Sequence, residues 1–213
     1  MNGTTITVAQ QKGGSGKTTL AANLAIELLG RGYRVAVLDT DPQGSLGRWF
    51  MTRRARTANE PGLEFATSSA WGVGYECEKL KKNNDFVIID TPPKIDSDLR
   101  PALRESDLVL VPVATSHMDL WATESVLEMV ERVDRPVLLV LNRASSRANL
   151  TTEVSAILDG LSVPRAATVL GNRVIFAEVL GEGLGVTEKT RGGVAAAEIS
   201  ALTDEVLAVL ALN

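Results

Sequence analysis

Two patterns of apolar and polar residues alternate along the chain. Short continuous runs of apolar, mostly β-branched residues predict strands that are buried on both faces, as in a parallel sheet. Longer stretches with an apolar residue every three or four positions, such as Leu20, Leu24 and Leu28, predict amphipathic helices. The predicted strands are Thr4–Ala9, Arg34–Leu38, Leu63–Ala66, Phe86–Ile89, Leu108–Val113, Pro136–Leu141 and Arg165–Val169. The predicted helices are Lys17–Leu29, Gln43–Thr52, Tyr75–Lys82, Ser97–Glu105, Asp119–Val133, Leu150–Leu158 and Val194–Leu212.

The alternation of strands and helices predicts one α/β domain over residues 1–213, with a mostly parallel central sheet and helices on both faces. The connections between parallel strands are expected to be right-handed crossovers. Ligands of such sheets bind beyond the carboxyl ends of the strands. Residues that carry chemistry are therefore expected directly after strands.

Composition excludes several classes of protein. One cysteine, Cys77, excludes an intramolecular disulfide framework and a CxxC metal site, and a reducing compartment fits best. The apolar runs are far shorter than the roughly 20 residues of a spanning helix, and the first residues lack the pattern of a signal peptide, so a cytoplasmic protein is expected. The net charge of −4 argues against a dedicated nucleic-acid binder but leaves room for a local basic face.

A glycine-rich loop between the first strand and the first helix carries the strongest chemical signal. Its glycines let backbone N–H groups wrap phosphates, and the following helix adds its positive N-terminal end. Lys17 is expected to bind the β- and γ-phosphates, and the Thr18 hydroxyl to ligate Mg²⁺. A plain tight turn and a GxGxxG dinucleotide loop are the alternatives, but Thr19 occupies the third glycine position of the latter. The loop residues are Lys12, Gly13, Gly14, Ser15, Gly16, Lys17, Thr18 and Thr19.

Polar residues follow three other predicted strands. Asp39 and Asp41 come after the second strand, and Asp90 comes directly after Phe86–Ile89. An acid at the end of a buried strand is normally a helix cap or part of a cation site, and beside a phosphate loop it holds Mg²⁺ through water. Asn142 follows a later strand, where a polar side chain suits recognition of a nucleotide base or simply forms a turn.

The loop departs from GxxxxGK[ST], because Gln11 occupies the first glycine position and Lys12 precedes the double glycine. KGGSGKTT resembles the deviant Walker A motif of the ParA/MinD family of ATPases. DTDPQ is similar to the switch I segment of that family, and VIIDTPP to its Walker B and switch II. The resemblance implies a P-loop NTPase that binds ATP and ADP with Mg²⁺ and hydrolyses ATP to ADP and phosphate.

The resemblance also implies roles for individual residues. Lys12 would reach across a nucleotide-sandwich dimer to the phosphates of the partner protomer. Asp39 and Asp90 would support Mg²⁺ and its water shell, and Asp41 would position the attacking water. The late segment GNRVIFAEVLGEG is similar to the family's region near the base and the dimer surface, with loops expected at Gly171–Ile175 and Gly181–Gly185.

Within the family, the chain is most similar to short ParA proteins of plasmid segregation, since the first strand begins by Thr4 and no N-terminal DNA-binding domain is expected. This implies a homodimer formed with ATP, non-specific DNA binding at the nucleoid, and a small ParB-like or other adaptor that stimulates slow hydrolysis. The cargo is left open between a plasmid, a chromosome and a protein compartment. A metabolic ATP-dependent enzyme acting on a small substrate stays as the alternative, although Lys12 favours the positioning ATPase.

Charged residues bear on the expected partners. Beyond Arg191 the chain has no Lys or Arg, whereas Glu198, Asp204 and Glu205 are acidic, so no membrane binding by the last helix is expected. Late basic residues are candidates for contact with DNA phosphates, with a solvated surface as the alternative. The arginines after DTDPQ are interpreted as a solvated helix and loop, with no further arginine expected at the phosphates. The late candidates are Arg143, Arg147, Arg165, Arg173, Lys189 and Arg191; the earlier run is Arg48, Arg53, Arg54 and Arg56.

Overall fold

The computed structural model describes residues 3–93, 99–145 and 149–212, and strands and helices alternate through these ranges as the sequence predicts. The strands are β1 Thr4–Val8, β2 Val35–Asp39, β3 Glu64–Thr67, β4 Phe86–Asp90, β5 Leu108–Ala114 and β6 Val137–Asn142. The helices are α1 Lys17–Gly30, α2 Ser45–Arg56, α3 Val73–Lys81, α4 Leu99–Arg104, α5 His117–Glu131, α6 Asn149–Asp159, α7 Val174–Gly181, α8 Val186–Lys189 and α9 Val194–Leu212, with a short 3-10 helix at Ala70–Gly72.

The six strands form one sheet in the order β3-β2-β4-β1-β5-β6, and every pairing in it is parallel. The predicted parallel sheet is thereby confirmed. In the register of the central strands Val8 lies beside Asp90, and Asp90 lies beside Asp39. The carboxyl ends of β1, β2 and β4 therefore meet at one edge, where the phosphate loop begins.

Helices cover both faces of the sheet. Side chains alternate along each strand, so Val35 and Val37 join the core under α1, α2 and α7 to α9, whereas Ala36 and Leu38 join the core under α3. A further core lies under α4, α5 and α6 on that second face. Helix α9 buries Ile199, Leu202 and Val206 against the first core, as a helix with few charges on its inner face should. None of the described helices is long and apolar enough to span a bilayer.

The predicted strand Arg165–Val169 is wrong. Arg165 and Gly171 make isolated bridges to Leu139 and Ala144, and the residues between them form no continuous ladder with β6. The cause is a competing acceptor, because the N–H groups of Ala167 and Thr168 donate to the Glu205 carboxylate at 2.7 and 2.8 Å. These two N–H groups cannot also donate to β6, so the segment forms no seventh strand and β6 is the last strand of the sheet.

Other helix boundaries also differ from the expectations. Helix α7 begins at Val174, inside the expected loop Gly171–Ile175, whereas residues 182–185 form a loop as expected, between α7 and an unpredicted α8 that begins at Val186. Val179 and Val186 are fully buried in the first core, so tertiary packing of an apolar face stabilises these short helices. The helix predicted over Ser97–Glu105 is observed from Leu99, and residues 94–98 lie outside the described residues.

Candidate functional site

The phosphate loop leaves β1 and enters α1 through two glycines in left-handed conformation. Gly14 has φ +78° and Gly16 has φ +96°, a region that residues with a Cβ adopt at a cost. A Cβ on Gly16 would also clash with the side-chain amide of Asn142. The amide Nδ2 of Asn142 donates to the carbonyl of Ser15 at 2.8 Å. The loop is therefore held against the end of β6.

A cavity of about 560 Å³ opens over this loop and is bounded on the far side by α2. It contains Lys17, Thr18 and Asp41, which the sequence predicted together. A second cavity of about 470 Å³ adjoins it past Gly16, towards β6 and α7. Residues that line the first cavity include Gly13, Gly14, Gly16, Lys17, Thr18, Thr19, Asp41, Gln43, Ser45 and Arg48.

Lys17 is a cation held in a poorly hydrated position. Its residue is 7% exposed, and its Nζ lies 3.5 Å from the carbonyl oxygen of Lys12. Burial lowers the pKa of Lys17, while the charges of Asp90 and Asp41 act in the opposite direction. An ammonium with so little hydration gains strongly from an anionic ligand, which fits its predicted role at phosphates.

Thr18 and Asp90, which the sequence predicts at Mg²⁺, contact each other in the structure. The Thr18 hydroxyl donates to Oδ2 of Asp90 at 2.6 Å, while Oδ1 of Asp90 is buried with no hydrogen-bond partner among the described residues. Burial, with repulsion from Asp39 and Asp41, raises the pKa of Asp90 to about 7. An unpartnered buried carboxylate oxygen beside a hydroxyl fits the water shell of Mg²⁺. In the described ranges no group of three or more His, Cys, Asp or Glu side chains could hold a metal alone.

Asp39 braces the loop between β2 and α2. Its Oδ1 accepts the N–H of Asp41 at 3.0 Å, and its Oδ2 accepts the N–H of Gly47 at 2.9 Å. Burial raises the pKa of Asp39, although these backbone donors favour the ionised form. The structure thus gives Asp39 a positioning role, and its support of Mg²⁺ stays a prediction. Asp41 itself lines the cavity and accepts the N–H of Gln43 at 2.9 Å, which fixes the turn.

Lys12 does not line the phosphate cavity of its own protomer. Its Nζ donates to Oγ of Ser116 at 3.0 Å and forms an ion pair with the buried carboxylate of Asp119. The side chain of Lys12 is 31% exposed, so it lies at the surface beside the loop. Its action across a dimer stays a prediction, and sequence reasoning missed its partners on α5.

Asn142 and Arg143 tie the end of β6 to the phosphate loop. Besides its bond to Ser15, Asn142 accepts the N–H of Arg143 through Oδ1 at 2.9 Å. Arg143, at φ +55°, donates through Nη1 to the carbonyl of Gly14 at 2.6 Å. Both polar atoms of the Asn142 amide are therefore engaged within the protein. Base recognition by Asn142 stays a prediction, and the structure adds a bracing role.

Three of the late basic residues, Arg165, Arg173 and Lys189, are paired with carboxylates. Arg165 pairs with Asp159 at 2.7 Å, and Arg173 pairs with Glu198 at 2.6 Å. Lys189 pairs with two glutamates of α7 and its following turn, Glu178 and Glu182. Arg147 lies outside the described residues. In the earlier run Arg53 is also not solvated, because it is buried and binds Glu188 at 2.8 Å.

Arg48 is a cavity residue that sequence reasoning placed in solvent. It lies on α2 and faces the phosphate cavity together with Ser45 and Thr52. The spacing of three and four between these residues puts them on one face of a helix, so helical periodicity could have found this face. Arg48 forms no salt bridge within the described residues, and it therefore brings an unpaired cation to the site.

Comparison with known proteins places this geometry in a family. The model of the CobQ/CobB/MinD/ParA nucleotide binding domain matches residues 6–185. The chain is 35% identical over 211 residues to the maintenance of carboxysome distribution protein A of Halothiobacillus neapolitanus, covering 95% of this chain and 96% of that protein. It is 28% identical over 249 residues to the protein IncC of Escherichia coli, covering 95% of this chain and 68% of the relative.

A solved structure has the same fold. The septum site-determining protein MinD of Pyrococcus horikoshii, complexed with Mg-ADP, superposes with a TM-score of 0.80 at 20% identity. The match covers 95% of each chain. The correspondence therefore extends over nearly all of the sheet and its helices.

Proposed function

The chain belongs to the CobQ/CobB/MinD/ParA nucleotide-binding family and is a ParA/MinD-like ATPase that uses ATP, ADP and Mg²⁺; we propose that it dimerises on ATP, binds DNA without sequence preference and positions a cargo. An adaptor protein would stimulate hydrolysis. The observation that supports this proposal best is the phosphate cavity, which Lys17 and Thr18 line, with the buried carboxylate of Asp90 accepting from the Thr18 hydroxyl at 2.6 Å.

Hydrolysis in this site is phosphoryl transfer to water, which depends on positioning and on charge stabilisation. Lys17 and the backbone N–H groups of the loop would stabilise the β- and γ-oxygens. Mg²⁺, when bound, supplies positive charge at these oxygens and would be held by the Thr18 hydroxyl and, through water, by Asp90. Asp41 would orient the attacking water from the opposite wall of the cavity.

Dimerisation would complete the site with a second cation. Lys12 does not line the phosphate cavity of its own protomer, and we propose that it acts on the triphosphate of a facing protomer. We therefore expect a slow reaction in the isolated protomer and a faster one in the dimer with its adaptor. Turnover of a monomer-locked variant that equals wild-type turnover would contradict this part of the proposal.

The proposed cargo follows from the most extended similarity described above. The Halothiobacillus relative is named for the distribution of carboxysomes, and this chain is similar to it along nearly the full length of both. A protein compartment is therefore the cargo we favour. Plasmid partition, which the resemblance to short ParA proteins implies, stays the second candidate.

Non-specific DNA binding would use cations that have no carboxylate partner. Among the described residues, Arg54, Arg56 and Arg191 are exposed and form no salt bridge. A dimer would carry each of them twice, which offsets the acidic net charge locally.

Retention on immobilised DNA of random sequence tests the proposal. We expect retention with ATP, little retention with ADP, and a steep loss as salt is raised, because phosphate contacts release counterions. Lys17→Ala, which should not bind ATP, is the control for nucleotide dependence. Retention that is equal with ATP, ADP and no nucleotide would contradict the proposal, and a protein that hydrolyses ATP only with a small substrate would support the metabolic alternative.

A further inference from the structure

The residues that precede the glycine turn are fastened to helix α5. Gln10 donates through Nε2 to Oγ1 of Thr123 at 3.0 Å. Lys12 donates through Nζ to Oγ of Ser116 at 3.0 Å and to the carboxylate of Asp119. These contacts join parts of the chain that are more than 100 positions apart, so they exist only in the folded protomer.

Asp119 depends on Lys12 for compensation of its charge. The side chain of Asp119 is 2% exposed, and Lys12 is the cation that pairs with it in the part of the chain that the structure describes. Its Oδ2 accepts from Lys12 and from the Ser116 hydroxyl, and its Oδ1 is buried with no hydrogen-bond partner there. Removal of the lysine would leave a buried carboxylate with an uncompensated charge, which is strongly unfavourable.

We propose that Asp119 is a positioning residue for Lys12: it holds the lysine within its own protomer, and dimerisation must exchange this carboxylate for the triphosphate of the facing protomer. The inference rests on the proposed function, in which Lys12 acts across the dimer. The Lys12–Asp119 pair thereby opposes dimerisation until ATP supplies a competing anion. ADP, with one phosphate fewer, competes less well.

The exchange accounts for the position of the pair. Lys12 is partly exposed at the rim of the loop, so its Nζ can turn outward without unfolding α5. Asp119 lies in the first turn of α5, where Ser116 caps the helix by accepting the N–H of Asp119 at 3.2 Å. The carboxylate therefore stays in place when the lysine leaves, and the cost of its unpaired charge falls on the dimer.

The concentration dependence of dimerisation with ATP, measured by sedimentation velocity, tests the exchange. Asp119→Asn keeps the size of the side chain and removes the charge, so it should lower the dimer dissociation constant by about tenfold or more. Ser116→Ala should shift it in the same direction by less.

Thermal unfolding first checks that Asp119→Asn and Ser116→Ala are folded. The inference is overturned if both folded variants dimerise no more readily than wild type. Weaker dimerisation of both would mean that Asp119 holds Lys12 in the orientation the dimer needs. Ser116→Ala carries the test if Asp119→Asn does not fold.

The rate of lysine acetylation in the nucleotide-free protein tests the Lys12–Asp119 ion pair independently of dimerisation. The exposed Lys82, which forms no salt bridge in the described chain, is the internal reference. Relative to Lys82, we expect Lys12 to react slowly in wild type and several-fold faster in Asp119→Asn. Equal acetylation rates of Lys12 in wild type and in Asp119→Asn would show that Asp119 does not hold Lys12. A protected Lys12 in a wild type that stays monomeric with ATP would instead overturn the proposed function and leave the pair standing.

Discussion

Burial acts in opposite directions on the two ionisable groups at the base of the phosphate cavity. It lowers the pKa of Lys17 and raises the pKa of Asp90 to about 7. Neither charge is well hydrated. The carboxylate of Asp90 accepts a hydrogen bond from the Thr18 hydroxyl. In the proposed site, a nucleotide with Mg²⁺ would bring an anion to the lysine and a cation near the carboxylate, so ligand binding would relieve both costs together.

Asp90→Asn should therefore stabilise the nucleotide-free protein, by roughly 2 kcal/mol at pH 8, and abolish Mg²⁺-dependent hydrolysis. The raised pKa of Asp90 determines the direction in which stability changes with pH. Between about pH 4 and pH 7 the folded state keeps a proton that the unfolded state has released, so wild type loses stability as pH rises. Urea unfolding without nucleotide at pH 5 and pH 8 measures this. A stability gain of the variant that is the same at both pH values would contradict the assignment.

Arg48→Ala should weaken nucleotide binding by about 1 kcal/mol, or roughly fivefold in Kd, because it removes an unpaired cation from the wall of the phosphate cavity. Arg54→Ala is the matched control, since Arg54 is exposed on the same helix but does not line the cavity. Titration with a fluorescent ATP analogue checks both. Equal affinities of the two variants would show that Arg48 is only a surface residue.

Sequence was sufficient to predict which residues lie together where a local motif and the strand pattern place them. Lys17 and Thr18 belong to one strand–turn–helix unit, and Asp90 ends a strand that neighbours it, so motif and topology together placed them. Asp119 and Arg143 contact the phosphate loop from 107 and 129 positions away, and no local pattern marks them. Such partners depend on how α5 and β6 pack, which periodicity does not specify.

Secondary structure was predictable where apolar periodicity is strong, as in α1 and the buried strands. It failed where a distant partner decides the outcome. Glu205 takes the donors of Ala167 and Thr168, which turns a predicted strand into an irregular segment. The short helices α7 and α8 are stabilised by the core that they cover, so their own sequences give little signal.

The turn between α7 and α8 contacts α2 at a glycine that tolerates no side chain. Gly183→Ala should destabilise the protein by about 3 kcal/mol, because a Cβ would clash with the backbone of Arg53 and φ is +69°. Gly192→Ala, at φ +84° with open space around its Cβ position, should cost only about 1 kcal/mol. Chemical denaturation of both variants separates the cost of the clash with α2 from the cost of the positive φ angle. Equal losses would mean that the contact with α2 is loose.

The arrangement of charges over the protein sets which cations are available to DNA. Arg191→Ala should reduce ATP-dependent retention on DNA and the slope of its salt dependence, because Arg191 is exposed and without a salt bridge in the described chain. Arg165→Ala should change retention little, since its charge is committed to Asp159 at 2.7 Å. Filter binding at several salt concentrations compares the two variants. A larger loss of retention in Arg165→Ala than in Arg191→Ala would place the DNA-binding surface at Arg165.

The mass of the protein in solution, measured by light scattering with ATP and with ADP, decides whether the site works as a dimer. The account predicts about twice 22.7 kDa with ATP and 22.7 kDa with ADP. Lys12→Ala and Lys17→Ala should remain at the lower mass with either nucleotide. A wild-type mass of 22.7 kDa with ATP at concentrations where the nucleotide is bound would contradict the account.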